Sequence, residues 1–170
     1  GTGAGDTGSV EECDGNNAGT GGETASCDTN CTAASCGDGD TNATLGEGCD
    51  NGLGTTDTAG CNGNSAAAQA ASANCEVPTC GDGYLNTAFQ VSAGIFEVCD
   101  TGSATTAACT NASPTVAANR CQVSACGDGY LNPASTEACD DDNTTAGDGC
   151  SLVCEVEFGY GCAGSEPSTC

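Results

Sequence analysis

Histidine, methionine and tryptophan are absent from this 170-residue chain, and Arg120 is its only basic residue. Each absence removes chemistry. Without His or Lys, Ser–His, Cys–His and Schiff-base mechanisms lack a partner. One cation makes no basic patch for a phosphate backbone, so the sequence argues against nucleic-acid binding. No apolar run approaches the ~20 residues that span a bilayer, which argues against membrane insertion. Mixed Cys/His zinc sites are excluded, and the CxxC pairs of Cys-only zinc ribbons are missing. Leu, Ile, Val and Phe together number 17, against a formal net charge of −23. Composition of that kind predicts disorder unless something other than apolar burial restrains the chain.

Cysteine supplies the restraint. The chain has 17 Cys and 27 Gly. That density predicts a disulfide scaffold formed in an oxidising compartment, so an extracellular or cell-surface location is expected. Cross-links shrink the unfolded ensemble, and a thin core then suffices. Gly1 opens the chain with no basic or apolar leader behind it, so we read the sequence as a mature or excised segment.

The strongest signal is internal repetition. Cys36-Gly37-Asp38-Gly39 recurs at Cys80–Gly83 and Cys126–Gly129, and the last two continue as Tyr84-Leu85-Asn86 and Tyr130-Leu131-Asn132. Each is followed by Glu-x-Cys-Asp, at Glu47–Asp50, Glu97–Asp100 and Glu137–Asp140, and then by two more cysteines. Glu11-Glu12-Cys13-Asp14, Cys27 and Cys31 fit the same template without its opening cysteine. Four repeats follow: 1–35, 36–79, 80–125 and 126–170, the last with a Cys162–Cys170 extension. Joining Cys170 to the Gly1 of a following copy regenerates Cys-Gly-Thr-Gly. This makes Gly1 and Cys170 the candidate inter-subunit positions, and copies of the same chain, arranged head to tail, the expected partner.

These motifs resemble the Myxococcus-type cysteine-rich repeat. The match is closest in repeat four: Cys139-Asp140-Asp141-Asp142-Asn143, Gly147-Asp148-Gly149-Cys150-Ser151, Cys154, Glu157 and Gly159-Tyr160-Gly161-Cys162. Asp142 stands where that family carries Gly. The resemblance implies an extracellular module and no particular activity.

Four cysteines per repeat allow three pairings. Cys162 and Cys170 are expected to pair across a short Gly/Ser/Pro segment. The count of 17 is odd, so one thiol must stay free, pair across a symmetry axis or bond another partner. If Cys162 pairs with Cys170, repeat one keeps Cys13, Cys27 and Cys31; if Cys170 serves a neighbouring copy, Cys162 is the orphan.

Repeat four is dense in hard oxygen donors. Asp140, Asp141, Asn143 and Asp148, with Asp128 and Glu137 as additional donors, are candidate ligands for Ca2+, which accepts six to eight oxygens from flexible Asp/Asn/Gly loops. Asp50, Asn51 and Asp57 form a weaker set in repeat two. Solvated turns use the same residues. Sequons at Asn30, Asn42, Asn111 and Asn143 are candidate glycosylation sites, three of them preceded at the second position by Asp. The expected covalent partner there is a glycan.

The fold class expected is a string of small disulfide-rich tandem repeats: loop-dominated, elongated, with short β-strands or hairpins and little helix. Short strands are expected at 84–86, 90–91, 95–98 and 152–157, and residues 66–73 have helical propensity without an evident cap. Tyr84, Leu85, Tyr130, Leu131 and Ile95-Phe96-Val98 are expected to form local cores against the bridges. Function is read as a structural subunit or period of an extracellular fibre or stalk; the alternative is a secreted or surface adhesin or receptor module. An enzyme is not expected. A pair such as Glu137 and Asp141 is the raw material of glycoside hydrolysis, but six aromatic residues cannot wall a sugar cleft.

Overall fold

Sulfur closes each repeat on itself. In the computed structural model, which describes residues 13, 22–111 and 114–170, repeats two to four share one connectivity: first cysteine to fourth, second to third. Cys36–Cys75 encloses Cys49–Cys61, Cys80–Cys121 encloses Cys99–Cys109, and Cys126–Cys154 encloses Cys139–Cys150. Repeat one has the inner bridge alone, Cys13–Cys27. Cys162 pairs with Cys170, and Cys31 is left as the free thiol. The odd cysteine of this chain therefore falls in repeat one, at Cys31, as the Cys162–Cys170 pairing requires. Gly1 lies outside the described residues.

The chain forms two compact units, Gly1–Pro78 and Thr79–Cys170, each carrying two of the sequence repeats. Regular structure is sparse, and the architecture is loop-dominated and disulfide-rich. Helix α1, Ala66–Ala70, is capped after all: the Ala68 N–H donates to Ser65 Oγ at 3.0 Å. Strands β1, Gln90–Ser92, and β2, Ile95–Phe96, pair antiparallel, with Gly94 in the left-handed region between them. A 3-10 turn covers Ala117–Asn119. Residues 84–86 form no strand, because the N–H groups of Tyr84 and Asn86 donate to the side chains of Asp82 and Glu97. Residues 152–157 contribute one isolated bridge, Cys150 to Val156.

The core corrects the sequence reading. Among the described residues, eight of the eleven buried apolar ones are half-cystines, joined by Ala68, Ala73 and Tyr130. Leu85, Phe96 and Val98 are exposed. Where a helix or sheet would present an apolar face, these loops present sulfur and buried polar side chains that terminate the backbone's hydrogen bonds. Among the described residues, no helix is long and apolar enough to cross a membrane.

Candidate functional site

The repeated acidic motif is the natural place to look for chemistry, and its geometry recurs three times. In Cys-Gly-Asp-Gly both glycines are left-handed, Gly37 at φ +95° and Gly39 at +102°. A Cβ on Gly37 would sit 2.6 Å from the Gly54 Cα, so glycine is required there. The two left-handed residues turn their N–H groups toward one anion. That anion is the Asp of Glu-x-Cys-Asp. Gly37 and Gly39 donate to Asp50 at 2.6 and 2.9 Å, Gly81 and Gly83 to Asp100 at 2.5 and 2.9 Å, Gly127 and Gly129 to Asp140 at 2.7 and 2.9 Å. Each is a backbone concavity filled by the protein's own carboxylate.

The other two acids of the motif are occupied in the same way. Asp38, Asp82 and Asp128 each accept one N–H from three residues before and one from two residues after. Glu47, Glu97 and Glu137 accept the N–H of Asn42, Asn86 and Asn132 at 2.8, 2.7 and 2.9 Å. Glu97 is 1 % exposed, and its Oε1 is buried with no hydrogen-bond partner. Burial, reinforced by the neighbouring Asp100 charge, pushes its carboxyl up to about 8. Burial likewise raises Glu47 and Asp128 above the usual carboxylate range.

Sequence reasoning missed the role of the asparagine six residues after the opening cysteine. Asn42 Nδ2 donates to the Thr24 carbonyl at 2.8 Å and to Asp28 Oδ1 at 2.8 Å, both in the preceding repeat. Asn132 Nδ2 donates to the Thr106 carbonyl at 2.8 Å and to Ser124 Oγ at 2.9 Å, again one repeat back. The accepting threonines share one turn: Thr24 with Cys27, and Thr106 with Cys109, exchange two backbone hydrogen bonds. The recurring Asn in Tyr-Leu-Asn was the available signal, but its target is set by the fold.

The candidate calcium ligands are dispersed among several tasks. Asp128, Glu137 and Asp140 hold backbone N–H groups. Asn143 accepts from the Thr145 N–H and donates to the Asp141 carbonyl. Asp148 is exposed. Asp141 Oδ1 is buried without a hydrogen-bond partner. Among the described residues, no three of these carboxylates bring oxygens within 4.8 Å of one another; the groups that do so all include both halves of a disulfide, whose sulfurs have no thiolate to offer.

The four sequons separate by exposure. Asn42 and Asn111 are buried, and each amide donates to several acceptors inside the fold, which leaves no room for a sugar on Nδ2. Asn30 is exposed, with Oδ1 accepting the Thr32 N–H and Nδ2 against Asp40. Asn143 is partly exposed. Arg120 donates to the Pro114 and Thr115 carbonyls.

A family described only as a domain of unknown function (DUF4215) matches residues 108–155, the end of repeat three and most of repeat four. No curated protein and no solved structure matches the chain. Together with eight disulfides, the match places the chain among cysteine-rich repeats.

Proposed function

We propose that this chain is a structural segment of an extracellular fibre or stalk, built of modules of the Myxococcus-type cysteine-rich repeat arranged in series. The observation that carries the reading is the Asn tie: Asn42 and Asn132 anchor one repeat to the threonine turn of the repeat before it. A contact made by the same motif residue to the same turn can be continued along an array, and arrays of nearest-neighbour modules are quasi-one-dimensional. The motif carboxylates support it too, since they hold backbone rather than face a cleft. Sixteen bridged cysteines suit an oxidising exterior. No catalytic role is part of this reading. Electron micrographs of the native material test it: filaments with a regular axial repeat are expected, and dispersed single particles would overturn it.

Two attachments belong to the proposal. Calcium is supported by the orphaned Asp141 Oδ1, which a cation in the 141–148 loop would satisfy with Asn143 and Asp148 as further donors. Glycans are supported at Asn30 and, in competition with the calcium role of its side-chain amide, at Asn143; an intact mass equal to the disulfide-bonded polypeptide would exclude them.

The second reading, an adhesin or receptor module, is favoured by one observation. Leu152, Val153, Phe158 and Tyr160, near one another in the sequence of repeat four, are all exposed, and a contiguous patch of exposed apolar side chains would mark a contact surface. A monodisperse monomer that binds a soluble ligand would select it.

A further inference from the structure

Cys31 is the only one of the seventeen cysteines without a bridge, and its surroundings identify its place in the repeat. The Thr24–Cys27 turn reproduces the Thr58–Cys61 and Thr106–Cys109 turns, with N–H to carbonyl distances of 2.9 Å in one direction and 3.3–3.4 Å in the other. Cys27 is therefore a third cysteine. Its bridge to Cys13 is the second-to-third bridge of the other repeats. Cys31 then falls on the fourth position, and its backbone agrees. The Cys31 N–H donates to the Asp28 carbonyl at 3.1 Å, as Cys75 donates to Asn62 and Cys154 to Ser151, each acceptor directly following the third cysteine. Cys31, Cys75, Cys121 and Cys154 are all left-handed, at φ +68°, +52°, +50° and +56°.

In the three sibling repeats that fourth cysteine is bonded to the cysteine opening Cys-Gly-Asp-Gly. Every other opening cysteine of these 170 residues is already paired within its own repeat. Repeat one retains in sequence the receiving acids, Glu11 and Asp14, whose counterparts accept the Asn N–H and the two glycine N–H groups elsewhere.

We propose that Cys31 is the receiving half of a disulfide whose other half is a cysteine heading a Cys-Gly-x-Gly turn from outside these 170 residues. The bond joins Sγ to Sγ. The two thiols give up two protons and two electrons to a disulfide oxidant such as oxidised glutathione, which leaves as two reduced thiols. The donor is either a preceding part of the same polypeptide or another chain. In the second case the bond deepens the assembly reading above; in the first it stands without it.

Native material alkylated with N-ethylmaleimide before any reduction, then digested and mapped by mass, tests the proposal. Cys31 should escape alkylation and be found joined to a peptide containing Cys-Gly-x-Gly. An alkylated Cys31, a Cys31–Cys31 link or a glutathione cap would overturn it, even if filaments are seen. Non-reducing electrophoresis distinguishes the donors: a ladder that collapses on reduction means another chain, and unchanged chain mass means the same polypeptide. Both support the bond, and only the ladder makes it a covalent joint of the fibre. A second measurement uses the isolated 170-residue chain with oxidised glutathione and the peptide Cys-Gly-Asp-Gly-Tyr-Leu-Asn. Adduct on Cys31 should exceed that of a peptide with both glycines replaced by valine by about tenfold, and Cys31→Ser should abolish it. Equal capture of the two peptides would show a thiol with no built partner.

Discussion

Glu97 shows how a side chain can hold the backbone and still be a liability. Its Oε2 takes the Asn86 N–H at 2.7 Å, while Oε1 is buried with no hydrogen-bond partner. The neutral carboxyl suits that site better than the anion, and its pKa rises from 4.5 to about 8. The folded form therefore binds more protons than the unfolded chain between these values. Its contribution is fully present below 4.5, declines through the window and is lost above 8. A shift of that size corresponds to a few kcal/mol, with roughly 5 as the upper bound. Glu97→Gln keeps the acceptor and never ionises. It should flatten the fall in Tm between pH 5 and 8 and raise Tm at pH 8, read by calorimetry; an unchanged slope would mean that Glu97 does not titrate in this window. The orphaned Asp141 oxygen makes the complementary case. If calcium sits there, EDTA should lower the melting temperature of the native chain by several degrees, and Asp141→Ala should remove that response. Glu137→Gln should keep it, because Glu137 is engaged with the Asn132 N–H. A melting curve indifferent to EDTA ends the calcium proposal.

At the scale of the repeat, two bridges and a set of acceptor carboxylates replace the apolar face of an ordinary element. The Asn tie is what couples one such unit to the next. Asn132→Ala removes the donor to the Thr106 carbonyl and Ser124 Oγ, and with it the acceptor of the Ala134 N–H, for about 1–3 kcal/mol. Hydrogen exchange at the Thr106 and Cys109 amides should accelerate in that variant while the Cys139–Cys150 loop keeps its protection. Unchanged protection at Thr106 would sever the link between the tie and the stability of the array. The repeat frame, the sparse regular structure and the sulfur-rich character were legible in the sequence because cysteine and glycine occupy positions that admit few substitutes. The destination of each carboxylate was not. Asp, Asn and Gly read equally as ligand loop and as turn, and only the left-handed glycines show that Asp50, Asp100 and Asp140 face backbone N–H groups. Helix α1 was legible as propensity, but its Ser65 cap was overlooked. Of the expected apolar clusters Tyr130 is buried, while Leu85, Phe96 and Val98 stay exposed beside an interior filled mainly by half-cystines.

For the molecule as a whole, charge and cross-linking act on opposite sides of the folding equilibrium. Twenty-four acids face one arginine, and like charges repel most strongly in the compact state. The bridges raise the free energy of the unfolded chain instead, by roughly 2–4 kcal/mol each. The motif carboxylates have N–H partners close at hand, and added ions screen them little. The exposed acids, such as Asp148, interact through solvent over distances comparable to the Debye length, about 10 Å at 0.1 M salt. Raising sodium chloride from roughly 10 mM to 500 mM, with the bridges intact, should therefore raise Tm by several degrees, most steeply at low salt where the screening length changes most. The same titration after full reduction should show no cooperative transition at any salt concentration, because screening cannot supply the apolar area the sequence lacks. A reduced chain that still melts cooperatively would mean that the buried polar network holds the fold without its sulfur. A salt-independent Tm in the bridged form would mean that the backbone N–H groups already neutralise the acids that matter.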